Sequence, residues 1–426
     1  MATGEAKLEA IVRQAIIAFQ PKIAVRLWTG ERIGPADGPA LALNDPAAVA
    51  RLAIRPTIAT AVELWMAKAV DIEDGTIFDL AAARSDIRTK DALKKLDKLR
   101  IAAALPALYR LSRKGCKAAK TAPPTGEGAG ASGSSMAAIQ FHYDISNDFY
   151  RLFLDERMLY SCAYFDGWHD DIDKAQRDKL EMICRKLRLK PGERLLDIGC
   201  GWGALLIHAA ENYGITGHGV TLSQAQHDLA CERIVAKGLG DRVTVELKPF
   251  QEVAGSFDKI ASIGMFEHVG WAHHDAYFSA VRKLLRPNGL YLHHAITRPA
   301  KATDKAFLKG TKEYAAIIRY IFPGAELDHV GHSAQKLEAH RFEVHDVENW
   351  REHYGRTCRL WHDRLCANMD EASQIAGEPR ARLWLLYLAG VSLGFTRGGL
   401  LIYQTLASRR AKGPAELPPT RRDLYP

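Results

Sequence analysis

The sequence predicts an α/β fold in which a doubly wound parallel sheet with helical insertions follows a small α+β domain. From residue 194 onwards, short apolar segments alternate with helical patterns, which is typical of a sheet covered by helices on both faces. Residues 115–135 are rich in Gly, Ala, Pro, Ser and Lys and lack apolar periodicity. We therefore interpret them as a flexible linker between residues 1–114 and residues 136–426.

The elements follow in order along the chain. In the small domain we expect a helix at 8–19, a hairpin at 22–33 and a basic helix at 93–111 with a break or kink near Pro106. In the large domain we expect strands at 194–198, 216–220, 243–247, 257–263, 290–296 and 341–347. We expect helices at 204–212, 224–237, 274–285 and 301–322. Apolar stretches within 363–408, such as 383–388 and 391–395, indicate further helices that form core or the wall of an apolar pocket.

Composition limits the possible classes of protein. The 426 residues are 47% hydrophobic and 25% charged, which is an ordinary globular profile. The seven cysteines are odd in number and show no C-x-x-C spacing, so we expect free thiols in a reducing compartment and no zinc module. Apolar runs are too short to span a bilayer and the first residues do not resemble a signal peptide, so we expect a cytoplasmic protein.

The net charge of +8 indicates an anionic partner. Basic residues cluster at 88–100, 113–120 and 409–422. Each cluster taken alone is explained more simply as a solvated surface. Because no nucleic-acid-binding module accompanies them, we expect an anionic membrane surface as the partner and no nucleic acid.

One short motif indicates a ligand pocket. Residues 195–203 read LLDIGCGWG, an apolar strand that ends in Asp197 and is followed by three alternating glycines. Glycine allows positive φ and close approach of a ligand, and the next helix offers free N–H groups. The pattern formally matches a dinucleotide site, but the next strand ends in Leu222-Ser223 without the required acid. Asp197 instead suits an amino group, as in S-adenosylmethionine; a purely structural glycine turn is the alternative.

Six motifs in fixed order extend this interpretation. They are FHYDISNDFY at 141–150, YSCAYF at 160–165, LLDIGCGWG, GVTLSQAQ at 219–226, GMFEHVG at 264–270 and YIFPG at 320–324. Together they resemble the cyclopropane-fatty-acid synthases, from about residue 141 to the C-terminus, and the small first domain resembles that of the long members. The resemblance implies a Rossmann-like class I methyltransferase sheet, a lipid-docking first domain and a homodimer.

The resemblance also assigns site residues. It implies that S-adenosylmethionine contacts Tyr160, Ser161, Asp197, Gly199, Cys200, Gly201, Gly203, Thr221, Leu222, Gln226, Phe250 and Gln251. Gln226 would contact the ribose. It implies that a bicarbonate ion is held by Cys162, Glu267, His294, Ile296 and Tyr354.

The chemistry explains why such a site is needed. An isolated cis double bond attacks a sulfonium methyl group only when it is held in line in a dry cavity. The resulting carbocation can be stabilised by aromatic faces, for which Tyr164, Phe165, Tyr320 and Trp361 are candidates. Bicarbonate would then remove a proton, and Glu267 and His294 would orient it and take up its proton.

Simpler interpretations stay open for each residue taken alone. Glu267 would be an acid at a helix start, Cys162 a buried small side chain, and the aromatic residues plain core. The histidine pairs 273–274 and 293–294 raise the question of a metal. Adjacent residues on a strand point to opposite faces and no familiar ligand spacing is present, so we expect no metal.

One departure from the family pattern concerns the C-terminal region. Many members carry a cysteine before a G/A-F-R stretch, whereas residues 389–397 contain none. A mechanism that requires that thiol is therefore in doubt, and so is substrate choice. The leading hypothesis is a cyclopropane-fatty-acyl-phospholipid synthase. The competitors are a methyltransferase that forms methyl-branched or methylene fatty acids or methylated amines, a lipid-binding protein without catalysis, and an NAD-dependent oxidoreductase.

Overall fold

A computed structural model describes residues 3–83, 86–114, 146–309 and 325–425. The chain divides into two compact units. The first contains residues 1–121 together with 376–389, and the second contains residues 122–375 and 390–426. The predicted linker at 115–135, the motif residues 141–145 and the motif at 320–324, with Tyr320, lie outside the described residues.

The first unit is a small α+β structure, as predicted. Its sheet has the order β2-β1-β3-β4, formed by β1 Ala24–Arg26, β2 Arg32–Ile33, β3 Ala40–Leu43 and β4 Val70–Glu73. β1 and β2 pair antiparallel, which confirms the predicted hairpin. The helices are Gly4–Phe19, Pro46–Ile54, Ile58–Met66, Ile77–Ala82, Thr89–Lys94 and Lys98–Ser112. Leu8, Leu27 and Leu108 are completely or almost completely buried where the helices meet the sheet.

The predicted break at Pro106 was wrong. The helix Lys98–Ser112 continues through Pro106, and the interruption lies earlier, at residues 95–97. Asp97 explains the position, because its side chain accepts a hydrogen bond from the Arg100 N–H at 3.0 Å and so caps the start of a new helix. Buried Ala104 and Leu108 on either side of Pro106 hold the helix against the core.

The second unit contains a seven-stranded sheet in the order β10-β11-β9-β8-β5-β6-β7. Its strands are β5 Arg194–Ile198, β6 Thr216–Thr221, β7 Val243–Leu247, β8 Phe257–Ile263, β9 Leu285–Thr297, β10 Phe342–Asn349 and β11 Leu401–Arg409. Five neighbouring strands, from β9 to β7 in the sheet order, run parallel, as predicted. The helices are Asn147–Arg151, Ile172–Leu187, Ala204–Tyr213, Gln224–Ala236, His274–Leu284, Asp304–Leu308, Val330–Ala339, Arg351–Ala367 and Met369–Ala376.

Strand β11 was not predicted, because the apolar segment 363–408 indicated only helices. The helix Glu378–Thr396 ends at the glycine pair that follows it, where Gly398 has φ +73° and donates its N–H to Phe395 at 3.0 Å. Residues 401–409 then form a strand that pairs antiparallel with both β9 and β10. The sheet is therefore mixed at this edge and parallel elsewhere.

The helix Glu378–Thr396 belongs to both units. Its first half, up to Ala389, groups with the small unit. There Arg382 donates to the Trp65 carbonyl at 2.8 Å and to the Asp71 carboxylate at 3.0 Å. The two predicted apolar stretches, 383–388 and 391–395, are thus helical as expected, and they lie in different units. Among the described residues, no helix combines the length and apolar character needed to cross a bilayer.

Candidate functional site

A cavity of about 440 Å³ opens at the carboxyl ends of the central parallel strands. Open α/β sheets bind their ligands at this edge. Of the twelve residues expected to contact S-adenosylmethionine, eleven line this cavity: Tyr160, Ser161, Asp197, Gly199, Cys200, Gly201, Thr221, Leu222, Gln226, Phe250 and Gln251. Gly203 does not line it.

The glycine loop takes the backbone shape that its sequence requires. Gly199, Gly201 and Gly203 have φ of +81°, +53° and +79°. A Cβ atom on Gly199 would lie 2.8 Å from Cγ of Met265, so this position has no room for a side chain. A Cβ atom on Gly203 would lie 3.3 Å from Cβ of Ala230, so Gly203 permits helix packing and does not contact the cavity. The loop is tied to β6 because the N–H groups of Gly199 and Cys200 both donate to the Val220 carbonyl.

Asp197 is the acid of this cavity. Its side chain is 3% exposed, and Oδ1 has no hydrogen-bond partner among the described residues. Burial raises the pKa of Asp197 to about 7, while the nearby Lys179 acts in the opposite direction. A buried carboxylate oxygen without a partner fits a cationic donor, as the ammonium of an amino acid supplies.

The end of β6 carries no acid, as the sequence indicated. Thr221 donates its hydroxyl to Oε1 of Gln226 at 2.8 Å, and both side chains are buried. Ser223 caps the helix Gln224–Ala236 by accepting from the Gln226 N–H. This edge therefore presents amide and hydroxyl groups to the cavity in place of the carboxylate of a dinucleotide site.

Lys179 also lines the cavity, and sequence reasoning missed it. It lies on the helix Ile172–Leu187, is 1% exposed, and donates its ammonium to Oγ of Ser161 at 2.9 Å. Burial lowers the pKa of Lys179 to about 8. The available signal was its spacing: Ile172, Gln176, Lys179 and Ile183 share the buried face of an amphipathic helix, where a lysine is unusual.

None of the five predicted bicarbonate residues lines this cavity. Glu267 contacts Ile296, and Cys162, His294 and Tyr354 each contact Trp350; we call these five residues the second cluster. Two chain segments connect the cavity with the second cluster. Ser161 lines the cavity and Cys162 belongs to the second cluster; likewise Gly264 lines the cavity and Glu267 lies just beyond it. The Gly264 N–H donates to the His294 carbonyl at 2.9 Å and so connects the end of β8 to β9.

Glu267 lies on a short 3₁₀ helix, Phe266–His268, that follows β8. Its Oε1 accepts the backbone N–H of Ile296 at 2.6 Å, so this N–H is bonded to the protein itself, and contact of Ile296 with bicarbonate stays a prediction. Oε2 is buried and has no hydrogen-bond partner among the described residues. Burial raises the pKa of Glu267 to about 7, so this carboxyl group gains and loses a proton near neutral pH.

His294 has a defined tautomer. Lys186 donates to Oε1 of Gln404 at 2.8 Å, so the amide nitrogen of Gln404 is the atom 2.8 Å from Nδ1 of His294. Nδ1 therefore accepts, and the proton of the neutral ring lies on Nε2. Burial lowers the pKa of His294 well below its usual value, which keeps the ring neutral. Nε2 is buried without a partner among the described residues and is oriented as a donor.

Trp350 connects the other members of the cluster. Its carbonyl lies 3.8 Å from Sγ of Cys162 and accepts the Tyr354 N–H at 3.0 Å. Its ring meets the His294 ring edge-to-face, with 5.3 Å between centroids. Burial raises the pKa of Cys162 well above its usual value, so the sulfur stays a thiol. Tyr354 stacks on Phe395 at 4.7 Å.

Aromatic side chains surround both places. The Tyr164 ring lies 5.0 Å from that of Trp350, and the Trp361 ring lies 5.3 Å from that of Tyr160. Phe165 packs farther out, against Trp168 and His169. Of the four predicted aromatic residues, Tyr164 thus adjoins the second cluster and Trp361 adjoins the cavity.

One group among the described residues has the spacing of metal ligands, namely Asp166, His169 and Asp178. The Lys174 ammonium donates to Asp166 at 2.7 Å and to Asp178 at 2.6 Å. The single ammonium bridges the two acids and compensates one of their two negative charges. The neighbouring histidines 293 and 294 point to opposite faces of β9, as the sequence indicated, because their contacts lie with different elements.

Comparison with known proteins decides the family. A family model described as mycolic acid cyclopropane synthetase matches residues 131–405, which is more than half of the chain. The chain belongs to this family. Membership accords with the glycine loop at β5, the acid at its end and the seven-stranded sheet, and the protein is an S-adenosylmethionine-dependent methyltransferase.

Several curated proteins are similar to this chain. A probable fatty acid methyltransferase of Pseudomonas putida is 41% identical over 68% of this chain and 73% of its own length. A probable fatty acid methyltransferase of Mycobacterium tuberculosis is 37% identical, over 64% of this chain and 62% of its own length. The cyclopropane-fatty-acyl-phospholipid synthase of Escherichia coli is 39% identical, over 63% of this chain and 66% of its own length.

Solved structures of the same family share the fold of the second unit. The cyclopropane synthase MmaA2 from Mycobacterium tuberculosis has a TM-score of 0.61 and 31% identity, and it matches 65% of this chain and 99% of its own. The mycolic acid cyclopropane synthase CmaA1, complexed with SAH and CTAB, has a TM-score of 0.59 and 34% identity over 64% of this chain and 98% of its own. These matches confirm the predicted class I methyltransferase sheet.

Proposed function

We propose that this protein transfers the methyl group of S-adenosylmethionine to a cis double bond in an acyl chain of a membrane phospholipid, after which loss of a proton closes a cyclopropane ring. One observation carries the proposal. Glu267 Oε2 and His294 Nε2, an acceptor and a donor, are both buried without partners among the described residues, in the cluster that adjoins the cofactor cavity. Methyl transfer to an amine or a thiol releases an N–H or S–H proton that water can accept, whereas ring closure releases a C–H proton inside a dry cavity, where a buried base must take it up.

The cavity residues fit S-adenosylmethionine. The unpartnered Oδ1 of Asp197 suits the ammonium, the glycine loop leaves room for close approach, and the amide of Gln226 suits the ribose. When bound, the cosubstrate supplies an electrophilic methyl group. Tyr160 and Phe250, both in the cavity wall, exclude water around it.

The second cluster fits bicarbonate. The N–H at Nε2 of His294 can donate to one oxygen, Oε2 of Glu267 can accept from the ion's hydroxyl, and the Cys162 thiol can donate weakly. When bound, bicarbonate supplies a base small enough for a closed site. Glu267, with a pKa of about 7, then takes up the released proton, while His294 holds its tautomer and donates a hydrogen bond throughout.

Aromatic faces suit a carbocation on the acyl chain. Tyr164, Trp350 and Trp361 lie beside the cavity or the second cluster. The face of an aromatic ring stabilises a cation without reacting with it. The same rings exclude water, which would otherwise capture the cation as an alcohol.

The small unit is proposed to bind the membrane surface. Its helix Lys98–Ser112 exposes Leu99, Leu105 and Tyr109. Lys98 and Arg110 are also exposed and fall on the same side of the helix in a helical projection, and the exposed Arg113 and Lys114 follow the end of the helix. A surface that combines apolar and cationic groups favours anionic lipid.

Vesicle sedimentation tests the docking surface. A double Lys98→Glu, Arg110→Glu variant should lose binding to anionic vesicles, whereas the double variant Lys301→Glu, Lys305→Glu, a control with the same change of charge at exposed positions in the other unit, should keep it. Equal binding by both variants would contradict the proposal. The homodimer stays a prediction, which sedimentation velocity checks.

The direct test of function uses vesicles of phospholipid with cis-unsaturated chains and S-adenosylmethionine carrying a labelled methyl group. We expect label in the lipid and an acyl chain heavier by one methylene. Buffer freed of carbon dioxide should lower kcat, and added bicarbonate should restore it. Absence of labelled lipid would refute the function, and full activity without bicarbonate would refute the role of that ion.

A second function has one observation in its favour. The Pseudomonas putida relative, at 41% identity, is named a probable fatty acid methyltransferase. In that case the same site would remove a proton from a different carbon, and the product would carry a methylene branch in place of a ring. The two functions share every residue discussed above and differ only in the product.

A further inference from the structure

We propose that Lys179 binds the α-carboxylate of S-adenosylmethionine, so that Lys179 and Asp197 together recognise the two charges of its amino-acid end. The inference rests on the use of this cosubstrate and is independent of the acceptor. It adds a cation to the site residues that the motifs indicated, none of which is basic.

The first argument is the unbalanced charge of Lys179. Its ammonium is buried, its hydrogen bond goes to the neutral hydroxyl of Ser161, and no carboxylate forms an ion pair with it among the described residues. A buried cation without an anion is costly. Because Lys179 lines the cavity, an anionic group of the ligand is the partner that would compensate it.

A second buried lysine on the same helix shows the usual arrangement. Lys186 is also buried, but its ammonium forms an ion pair with Glu348 and donates to Gln404. The helix Ile172–Leu187 therefore carries one lysine that is compensated inside the protein and one that is not. The uncompensated one faces the cavity.

The acids near Lys179 are engaged elsewhere or suited to a cation. Asp155 accepts the N–H groups of Leu159 at 2.7 Å and Arg157 at 3.0 Å, which closes a tight turn. Cys162 stays a thiol because burial raises its pKa. Asp197 and Lys179 both line the cavity but form no ion pair with each other, so the cavity presents two separate groups of opposite charge.

An amino acid fits that separation. Its ammonium and carboxylate are attached to one carbon atom, so a site that binds both must present an anion and a cation in the same region. Asp197 would take the ammonium and Lys179 the carboxylate, with Ser161 fixing the position of the lysine. Each of the two charges favours ionisation of the other and so opposes the effect of burial on both pKa values.

Calorimetric titration with two ligands tests the proposal. The ligands are S-adenosylmethionine and its decarboxylated analogue, which lacks only the α-carboxylate. Lys179→Met should weaken binding of S-adenosylmethionine by about tenfold or more and change binding of the analogue much less. Lys179→Arg, which keeps the charge, should recover part of the loss. Lys190→Met, at an exposed position just after the same helix and outside the cavity lining, is the control and should bind both ligands as the wild type does.

Three outcomes would overturn the proposal. Equal weakening of both ligands by Lys179→Met would assign the lysine a structural role. Unchanged binding of S-adenosylmethionine would assign it no role in recognition. A loss that appears only when bicarbonate is present would assign the cation to that ion. Failure of the wild type to bind either ligand would instead refute use of the cosubstrate, so the two failures are distinguishable.

Discussion

Two neighbouring histidines on β9 are equally buried but differ in their surroundings. His293 has both ring nitrogens in hydrogen-bond contact, Nδ1 with the Tyr291 hydroxyl at 3.0 Å and Nε2 with the Ser333 hydroxyl at 3.4 Å. His294 has one such contact, from Gln404 to Nδ1, and Nε2 has none among the described residues. Burial lowers the pKa of both rings, so both are neutral.

The partners of His293 form a continuous chain with a definite direction. Ser333 donates to Asp328 at 2.5 Å, so its oxygen accepts from Nε2 of His293. Nδ1 then accepts from Tyr291, whose oxygen accepts from Tyr277 at 2.8 Å. The two faces of β9 therefore differ in purpose: on one face the ring is satisfied by the protein, and on the other it presents a donor to a ligand.

The largest effect is expected from Glu267→Gln. Gln can still accept the Ile296 N–H, so the fold should be kept, but the carboxylate that takes up the released proton is lost and kcat should fall by about 10²–10⁴-fold. Turnover of labelled S-adenosylmethionine and a thermal melt check this. An active variant would show that another group takes up the proton. A variant that fails to fold would show that Glu267 has a structural role.

The histidines themselves give the next effect. His294→Gln should lower kcat by about 10²-fold with little change in the free energy of unfolding, because a donor to the reacting site is lost. His293→Gln should cost about 1–3 kcal/mol of stability and leave kcat of the folded enzyme unchanged, because Tyr291 and Ser333 lose their partner. Chemical denaturation and kinetics on both variants provide the check. Identical effects of the two substitutions on kcat and on stability would show that the two faces of β9 do not differ in function.

The smallest effect concerns pH. With its pKa raised to about 7, Glu267 must be ionised to act as a base, so kcat should fall as pH drops below that value. Stability should move in the opposite direction. The folded state holds this proton more tightly than the unfolded chain, in which the pKa of the glutamate is near 4.5. The contribution of Glu267 to the free energy of unfolding is therefore greatest at low pH and is lost as the pH rises towards 7.

Melting temperatures between about pH 5 and 8 check the second half of this prediction. Glu267→Gln should lose less stability with rising pH than the wild type. The remaining slope is expected from Asp197 and Asp328, whose pKa values burial also raises to about 7. A variant with the slope of the wild type would show that Glu267 does not titrate in this range.

Local patterns predicted the central fold well. Strands β5, β7 and β8 have the predicted bounds, because each carries several aliphatic residues and is flanked by polar, proline or glycine residues. Residues 401–409 were missed because a short apolar run after helices has no periodicity that separates strand from helix. Their pairing with β9 and β10 depends on tertiary contacts that no local signal contains.

The candidate site was predictable to a similar degree. The glycine loop and Asp197 follow from local sequence, whereas Glu267 and His294 depended on the family resemblance. The partners that give those residues their properties are Lys186, Gln404 and Trp350, which lie far away in sequence and carry no motif. Gly203 was assigned to the ligand because it shares the loop pattern, but its contact is with a helix.

Proton NMR of the lipid product tests the account most directly. After incubation of the enzyme with cis-unsaturated phospholipid, S-adenosylmethionine and bicarbonate, we predict upfield cyclopropane signals with loss of the vinyl signals of the substrate. Exomethylene signals or a methyl doublet would contradict ring closure and favour the fatty acid methyltransferase alternative.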